Sequence, residues 1–286
     1  MNRYIRPNET IETEEAFERY RDQVRNPARG DRFEIADPDD VVALKAFLNK
    51  YHKEITAEFD IYKALGIEVI NATGPKNWPD TYHDDFINWA GTYMMTYYLA
   101  RNFGVAAHQF GNEPDWYFNQ IPDEQVQRRL TLIADAVHSA IEDVNRDCGL
   151  DLTAIFSAPV LAGNFTGRNA RIMMRNLYSK YDGTQTETKR FNLFNRHRYS
   201  GRPYQNAMEV SEAKKMMLEE AGETLPQVFT ELNFSTARHW RNPESTFTND
   251  TPAVISAMAS VWGWMMQEQG VYGIFVFKLN DPSTWF

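Results

Sequence analysis

The stretch Val105-Ala106-Ala107-His108-Gln109-Phe110-Gly111-Asn112-Glu113-Pro114 opens apolar, breaks at a glycine and ends on an acid followed by proline. Pro226-Gln227-Val228-Phe229-Thr230-Glu231-Leu232-Asn233 has the same form, a short apolar run that delivers a glutamate. Each run is too short for a helix, and neither shows the clean apolar/polar alternation of a half-exposed strand. That is the pattern of a strand covered on both faces, which belongs to a parallel sheet wrapped in helices. At the C-terminal ends of such strands, in the mouth of a parallel barrel, reactive side chains collect.

Outward from these two runs, the chain alternates between helix-like and strand-like segments with short joints. Pro38-Asp39-Asp40 starts a helix that runs to residue 65 and stops at Gly66. A strand is expected at 67–72, then the loop Gly74-Pro75-Lys76-Asn77-Trp78-Pro79 and a helix over 82–102 closed by Gly104. The strand ending in Glu113 is followed by a helix at 122–146 and a strand at 152–157. A helix at 169–180, a strand at 191–197 and a helix at 205–220 come next. After the strand ending in Glu231 and a long loop, a helix occupies 252–269, closed by Gly270, and a last strand 273–279.

This order predicts an α/β fold, a TIM (β/α)8 barrel formed by one catalytic domain over residues 1–286. Six strands are read from Ile67 onward, with Arg3-Tyr4-Ile5 as a seventh, whereas a closed barrel has eight. The expected barrel is therefore truncated at both ends, lacking strand one and helix eight, and Arg3-Tyr4-Ile5 serves as strand two. Residues 7–37, rich in Glu and Arg, fit no βα unit and read as a loop or insertion after that strand. Such loops shape the clefts of barrels.

Composition narrows the partners. The 286 residues are 43% hydrophobic, enough for a large core, and the net charge of −9 repels a nucleic-acid backbone. No stretch approaches the roughly 20 apolar residues that span a bilayer. One cysteine, Cys148, excludes an internal disulfide and a cysteine-based zinc site. The six histidines form no His-x-His pair at a strand end, so no metal and no cofactor is expected. The N-terminus MNRYIRPNET has no signal-peptide character. Seven Trp, 14 Tyr and 18 Phe serve mainly as core, with some left over to line a binding cleft.

Two glutamates across one barrel mouth are what glycoside hydrolysis requires: one protonates the departing oxygen, the other attacks the anomeric carbon or activates water. With Arg3-Tyr4-Ile5 as strand two, Glu113 ends strand four and Glu231 ends strand seven, leaving three βα units between them. Asn112-Glu113-Pro114 on strand four with a glutamate on strand seven resembles glycoside hydrolase clan A, the retaining (β/α)8-barrel glycosidases. The resemblance runs through strand order from Arg3 to Asn280 rather than through overall identity. It implies that Glu113 is the general acid/base, that Glu231 is the nucleophile, and that Asn112 donates to the sugar 2-hydroxyl. The carboxyls of a retaining pair stand about 5–5.5 Å apart, those of an inverting pair about 6.5–9.5 Å.

Further substrate-binding positions are expected at His197 and Tyr199, which share a strand face by the period of two. In clan A this strand supplies a His and a Tyr that orient the nucleophile and touch the glycone. Arg6 is matched to the family's arginine beneath the nucleophile, in preference to Arg3. Trp78, Trp116 and Trp240 lie in loops and are the candidates for sugar stacking, whereas Trp262 and Trp264, in a helix, are assigned to the core. His108 is taken as a buried packing residue. The last strand departs from the family pattern: Lys278 and Asn280 stand where many members carry a tryptophan.

Arg196, Arg198, Arg202, Arg238, His239, Arg241 and Lys278 place basic groups in the expected mouth loops of an acidic chain. Arginine binds sulfate and carboxylate in a forked geometry. The expected partner is a polysaccharide or oligosaccharide, anionic in character, and the expected enzyme an endo-acting agarase/porphyranase on algal galactan, secreted or periplasmic. Two alternatives stand beside it: an exo-acting glycosidase resembling β-xylosidases and iduronidases, and a non-catalytic carbohydrate-binding barrel.

Overall fold

The computed structural model describes residues 42–73, 85–181, 183–199, 203–233, 252–267 and 270–276. In chain order the elements are α1 (Val42–Ala64), β1 (Ile70–Thr73), α2 (Asp85–Phe103), β2 (Ala107–Phe110), α3 (Asp115–Phe118), α4 (Asp123–Cys148) and β3 (Ile155–Ser157). They continue with α5 (Arg168–Arg175), β4 (Phe194–Tyr199), α6 (Pro203–Ala221), β5 (Gln227–Asn233), α7 (Pro252–Gln267) and β6 (Val271–Val276). The alternation read from the sequence is present, with β1, β2 and β3 shorter than expected and β5 running past Glu231 to Asn233. Helix α5 ends at Arg175, five residues early.

All six strands pair in parallel, in two three-stranded sheets of order β1-β2-β3 and β4-β5-β6. Parallel bridges Ser157–Leu193 and Leu161–Arg196 connect the end of β3 to β4. Backbone bonds from Ala158 N to Leu193 O (2.8 Å) and from His197 N to Leu161 O (3.0 Å) hold that junction. The protein is thus α/β with parallel strands, and an eight-stranded closed ring is not seen among the described residues. The expected strand at Arg3-Tyr4-Ile5 and the insertion at 7–37 lie outside those residues.

Helices α2 and α4 cover one side of the first sheet, and their contact uses aromatic side chains with a polar tip. Trp89, Tyr93 and Tyr97 recur at i+4 along α2 and are fully buried. Their N–H and O–H groups donate to three aspartates of α4: Trp89 Nε1 to Asp135 (3.1 Å), Tyr93 to Asp143 (2.6 Å) and Tyr97 to Asp147 (2.9 Å). The rings supply apolar area, and the aspartates satisfy the groups that burial would orphan. Much of the aromatic supply is used in this way. Gly149, at φ +66, terminates α4 in the left-handed conformation that a side chain would disfavour.

A second core lies between β2, β3, α4, α5 and α6, around Phe110, Phe118, Phe156, Phe191 and Phe194. A smaller one joins Val210, Phe229, Leu232 and Met265. Met265 is the side chain that α7 buries there among those described. Trp262 and Trp264 are instead 39% and 49% exposed. The assignment of these two tryptophans to the core is corrected accordingly.

Candidate active site

Three side chains from three strands or strand ends converge. His197 Nδ1 lies 2.9 Å from Glu113 Oε1 and 3.3 Å from Glu231 Oε2. Carboxylate oxygens accept hydrogen bonds and, when ionised, cannot donate them, so the proton on this imidazole belongs on Nδ1. One carboxylate oxygen of each glutamate and the imidazole nitrogen all lie within 4.8 Å of one another. The histidine side chain is 1% exposed, while those of Glu113 and Glu231 are 31% and 19% exposed. The imidazole therefore lies beneath the pair, and both carboxylates reach toward solvent.

Neither glutamate arrives there by regular strand geometry. Strand β2 ends at Phe110, so Glu113 stands three residues beyond it, a correction to the expectation of a strand-end position. The chain turns through Gly111 at φ +53 and Glu113 itself at φ +49, the non-glycine residue with positive φ among those described. An L-residue in this region is strained, and such strain gathers where a side chain must be aimed. Asn112, between them, is exposed beside the carboxylate.

Glu231 is aimed by a β-bulge. Arg196 pairs with Phe229 but His197 pairs with Glu231, so the register skips Thr230. With this extra residue, Thr230 and Glu231 both reach partners on the inner face of β4: Thr230 Oγ1 donates to Asn195 Oδ1 (2.9 Å), and Glu231 meets His197. Bulges re-aim side chains in this manner beside functional sites. Beneath His197, Asn195 Nδ2 donates to Ser157 Oγ (2.7 Å) and to Gln109 Oε1 (3.3 Å). A polar layer contributed by β2, β3, β4 and β5 thus supports the three converging groups.

Asp115 anchors the other flank. Its carboxylate accepts the backbone N–H groups of Ala162 (3.3 Å) and Gly163 (3.0 Å), tying the loop after β3 to the start of α3. Burial pushes its carboxyl pKa up, with Glu113 adding a smaller push, while the two N–H groups pull it back. Sequence reading missed Asp115, Asn195, Thr230 and Gln109. The DW after Asn112-Glu113-Pro114 was a visible signal for the first, since Asp at the start of a helical turn commonly binds backbone N–H groups.

Of the sequence-derived site residues, Glu113, Glu231 and His197 meet, and Asn112 adjoins them. Trp116 lies in α3 and Tyr199 ends β4, but their side chains lie outside those described. Arg6, Trp78, Trp240, Lys278 and Asn280 lie outside the described residues. Two of the basic residues expected at the mouth face the opposite way. Arg196 is fully buried between the rings of Phe165 and Phe229, and Arg198 is ion-paired with Glu209 on α6. They alternate with Asn195 and His197 along β4, and the strand period sends them to the helix side. His108 is buried as expected, with Asn71 Nδ2 at 3.3 Å from its Nδ1, and burial lowers its pKa to about 4. The cluster Glu113–His197–Glu231 could also offer three ligand atoms to one cation.

No protein-family model and no curated protein matches the chain. Among solved structures it is similar to a monomeric β-xylosidase from Caulobacter crescentus CB15, with a TM-score of 0.53 and 12% identity over 79% of this chain and 48% of that one. It is likewise similar to a glucosidase from Croceicoccus marinus, with a TM-score of 0.51 and 10% identity over 78% of this chain and 44% of that one. The chain spans less than half the length of either enzyme. At these identities the likeness is one of fold.

Proposed function

We propose that this chain is the (β/α)8 core of a retaining glycoside hydrolase that cleaves β-glycosidic bonds by double displacement. The observation that carries the reading is the approach of Glu113 and Glu231 to within 4.8 Å, oxygen to oxygen, with His197 between them. An approach this close is in keeping with a retaining pair, whose carboxyls stand about 5–5.5 Å apart, and with a carboxylate that attacks the anomeric carbon directly. The fold likeness to a β-xylosidase and a glucosidase supports the same class.

In the proposed reaction the Glu113 carboxyl protonates the glycosidic oxygen as the bond to the anomeric carbon breaks. The Glu231 carboxylate adds to that carbon, giving a glycosyl-enzyme. Glu113, now ionised, takes a proton from water, which displaces Glu231 and releases the sugar with its original configuration. His197 Nδ1–H holds both carboxylates in place and disperses their negative charge. Asn112 is exposed where it can donate to the 2-hydroxyl, a bond that strengthens as the oxocarbenium ion develops.

Glu231→Gln should abolish turnover while sparing sugar binding, measured by calorimetry with oligosaccharides. Glu113→Ala should still form a glycosyl-enzyme from substrates with very good leaving groups, and azide should rescue its second step. Near-wild-type turnover of the first variant, or no azide effect in the second, refutes the roles. Activity that disappears with a strong chelator and returns with a divalent cation would favour a metal held by Glu113, His197 and Glu231.

For the substrate we infer a polysaccharide cut outside the cytoplasm, with algal galactan of the agarose or porphyran type as first choice. The turning of Arg196 and Arg198 to the helix side removes two of the seven cations on which an anionic substrate rested. The exo-acting reading gains from the β-xylosidase likeness. Digestion of agarose, porphyran, xylan and mannan beside aryl xylosides and glucosides separates the two. Oligosaccharide ladders from galactans support the first, and monosaccharide release from chain ends the second.

A further inference from the structure

Behind the strand that carries His197, on the side facing α6, the chain buries a group of charged and polar side chains that do not satisfy one another. Arg196 is fully buried, Asn206 is 1% exposed and Glu209 is 6% exposed. The Arg196 guanidinium is stacked between Phe165 and Phe229, whose ring centroids lie 4.3 and 4.4 Å from its carbon. Both of its faces are therefore covered by apolar surface, and only its in-plane edges are left for hydrogen bonds. One edge has a single long bond, from Nη1 to the Glu209 carbonyl at 3.4 Å. The other edge, Nε with Nη2, has no hydrogen-bond partner. These two N–H groups are parallel and form the fork with which arginine grips an anion.

The surroundings have the same imbalance. Arg198 donates from Nη2 to Glu209 Oε1, but its Nε is buried without a partner. Asn206 and Glu209 are three residues apart on one face of α6, within its first two turns, where helix N–H groups add positive potential. Neither side-chain atom of Asn206 has a partner, and neither has Glu209 Oε2. Unmet donors thus comprise Arg196 Nε and Nη2, Arg198 Nε and Asn206 Nδ2, against Glu209 Oε2 and Asn206 Oδ1 as unmet acceptors. The unmet donors number four against two unmet acceptors, so the free edge of Arg196 lacks an acceptor. Burial, with a smaller push from Arg198, lowers the Arg196 pKa to about 9 against the opposing effect of Glu209 and Glu212.

We propose that the space between β4 and the N-terminal half of α6 is a buried site for a monatomic anion of the chloride class, held in the Nε–Nη2 fork of Arg196. A halide fits because it accepts from several donors at once in any direction, and because a fully buried guanidinium presents no open face to a larger, solvated oxyanion. Its negative charge lies against the buried guanidinium. The site is separate from the glutamate pair, being on the opposite face of β4, and does not depend on the catalytic reading.

The test is a bromide soak of crystals of the full chain, with data collected at the bromine edge. An anomalous peak in contact with Arg196 Nε and Nη2 is expected. A water refined on that fork, with no anomalous signal, overturns the proposal. In solution, chloride should raise Tm relative to gluconate at constant ionic strength, by about 2–4 °C for each tenfold increase beyond its dissociation constant. Asn206→Leu, which removes the amide and keeps both arginines, should weaken that chloride response at least tenfold in midpoint. An equal rise in gluconate and chloride also overturns the site.

Discussion

The left-handed turn at Glu113 makes a prediction in which two small effects compete and the sign of the result identifies the winner. Consider Glu113→Ala and Glu113→Gly. Both remove the carboxylate, so changes in repulsion with Glu231 and Asp115 and the loss of the His197 contact cancel between them. In ordinary backbone, glycine is the less stable of the two by about 0.4–1 kcal/mol, because it frees the unfolded chain. At φ +49 alanine carries a Cβ penalty of about 1–2 kcal/mol that glycine lacks. The net difference therefore favours glycine by roughly 0.5–1 kcal/mol, the reverse of the usual order. For a chain of this size that is about 1–3 °C in Tm, or a resolvable shift in the urea midpoint. Both variants should be catalytically disabled, so stability and activity are read separately. An alanine variant as stable as the glycine variant, or more so, would show that the turn relaxes without strain and would remove the claim that backbone geometry aims the acid.

Three further outcomes can be measured. His197→Gln should lower kcat about 10–100-fold, from the roughly 1.5–3 kcal/mol of a hydrogen bond to a charged group, and should move the pH profile; an unchanged profile would remove its positioning role. Burial holds the pKa values of His108 and His138 down at about 4 against 6.5 unfolded. The unfolded chain therefore takes up protons first as pH falls, and the stability present above pH 6.5 is lost progressively toward pH 4, by roughly 2–3 kcal/mol per histidine as an upper figure. Urea midpoints at pH 7 and 4.5 should diverge less in His138→Gln than in the wild type, and equal divergence would refute the assignment. Asn195→Ala should cost roughly 1–3 kcal/mol by leaving the Thr230 hydroxyl without its acceptor and Ser157 and Gln109 without a donor, read by thermal unfolding, and a neutral substitution would show that water replaces the amide.

The parallel α/β order was legible because helices of fifteen or more residues carry strong signals: start residues, terminal glycines and an apolar face. Strands were legible in kind but not in extent. The run from Val105 to Glu113 reads as one apolar segment, yet pairing stops at Phe110 because Gly111 takes a left-handed conformation. The glutamate pair was found because its residue types and strand separation are unusual together. The basic residues of β4 were misplaced for a different reason. Charge was counted without phase, and the same period of two that sends His197 inward sends Arg196 and Arg198 to the helix side. Desolvation argues against a buried arginine, so the sequence favours the mouth; two phenylalanine faces, Phe165 and Phe229, reverse that preference, and neither neighbours Arg196 in sequence.

Local irregularity is what brings the carboxylates together. A regular β2 would continue past Phe110 with its side chains alternating, and its register would decide where residue 113 points. A regular β5 would put Thr230 and Glu231 on opposite faces, so that only one of them could meet β4. The left-handed turn frees the first glutamate from its strand, and the bulge lets Thr230 brace Asn195 while Glu231 meets His197. Deleting Thr230 should then leave β5 regular, with Glu231 directly after Phe229 on the inner face opposite His197, while Asn195 loses its Thr230 donor. The deletion variant should keep its helical circular dichroism and still form a glycosyl-enzyme with an activated aryl glycoside, at a lower Tm because the Thr230 brace is gone. A deletion variant that forms no glycosyl-enzyme would mean that the extra residue is itself needed to aim Glu231.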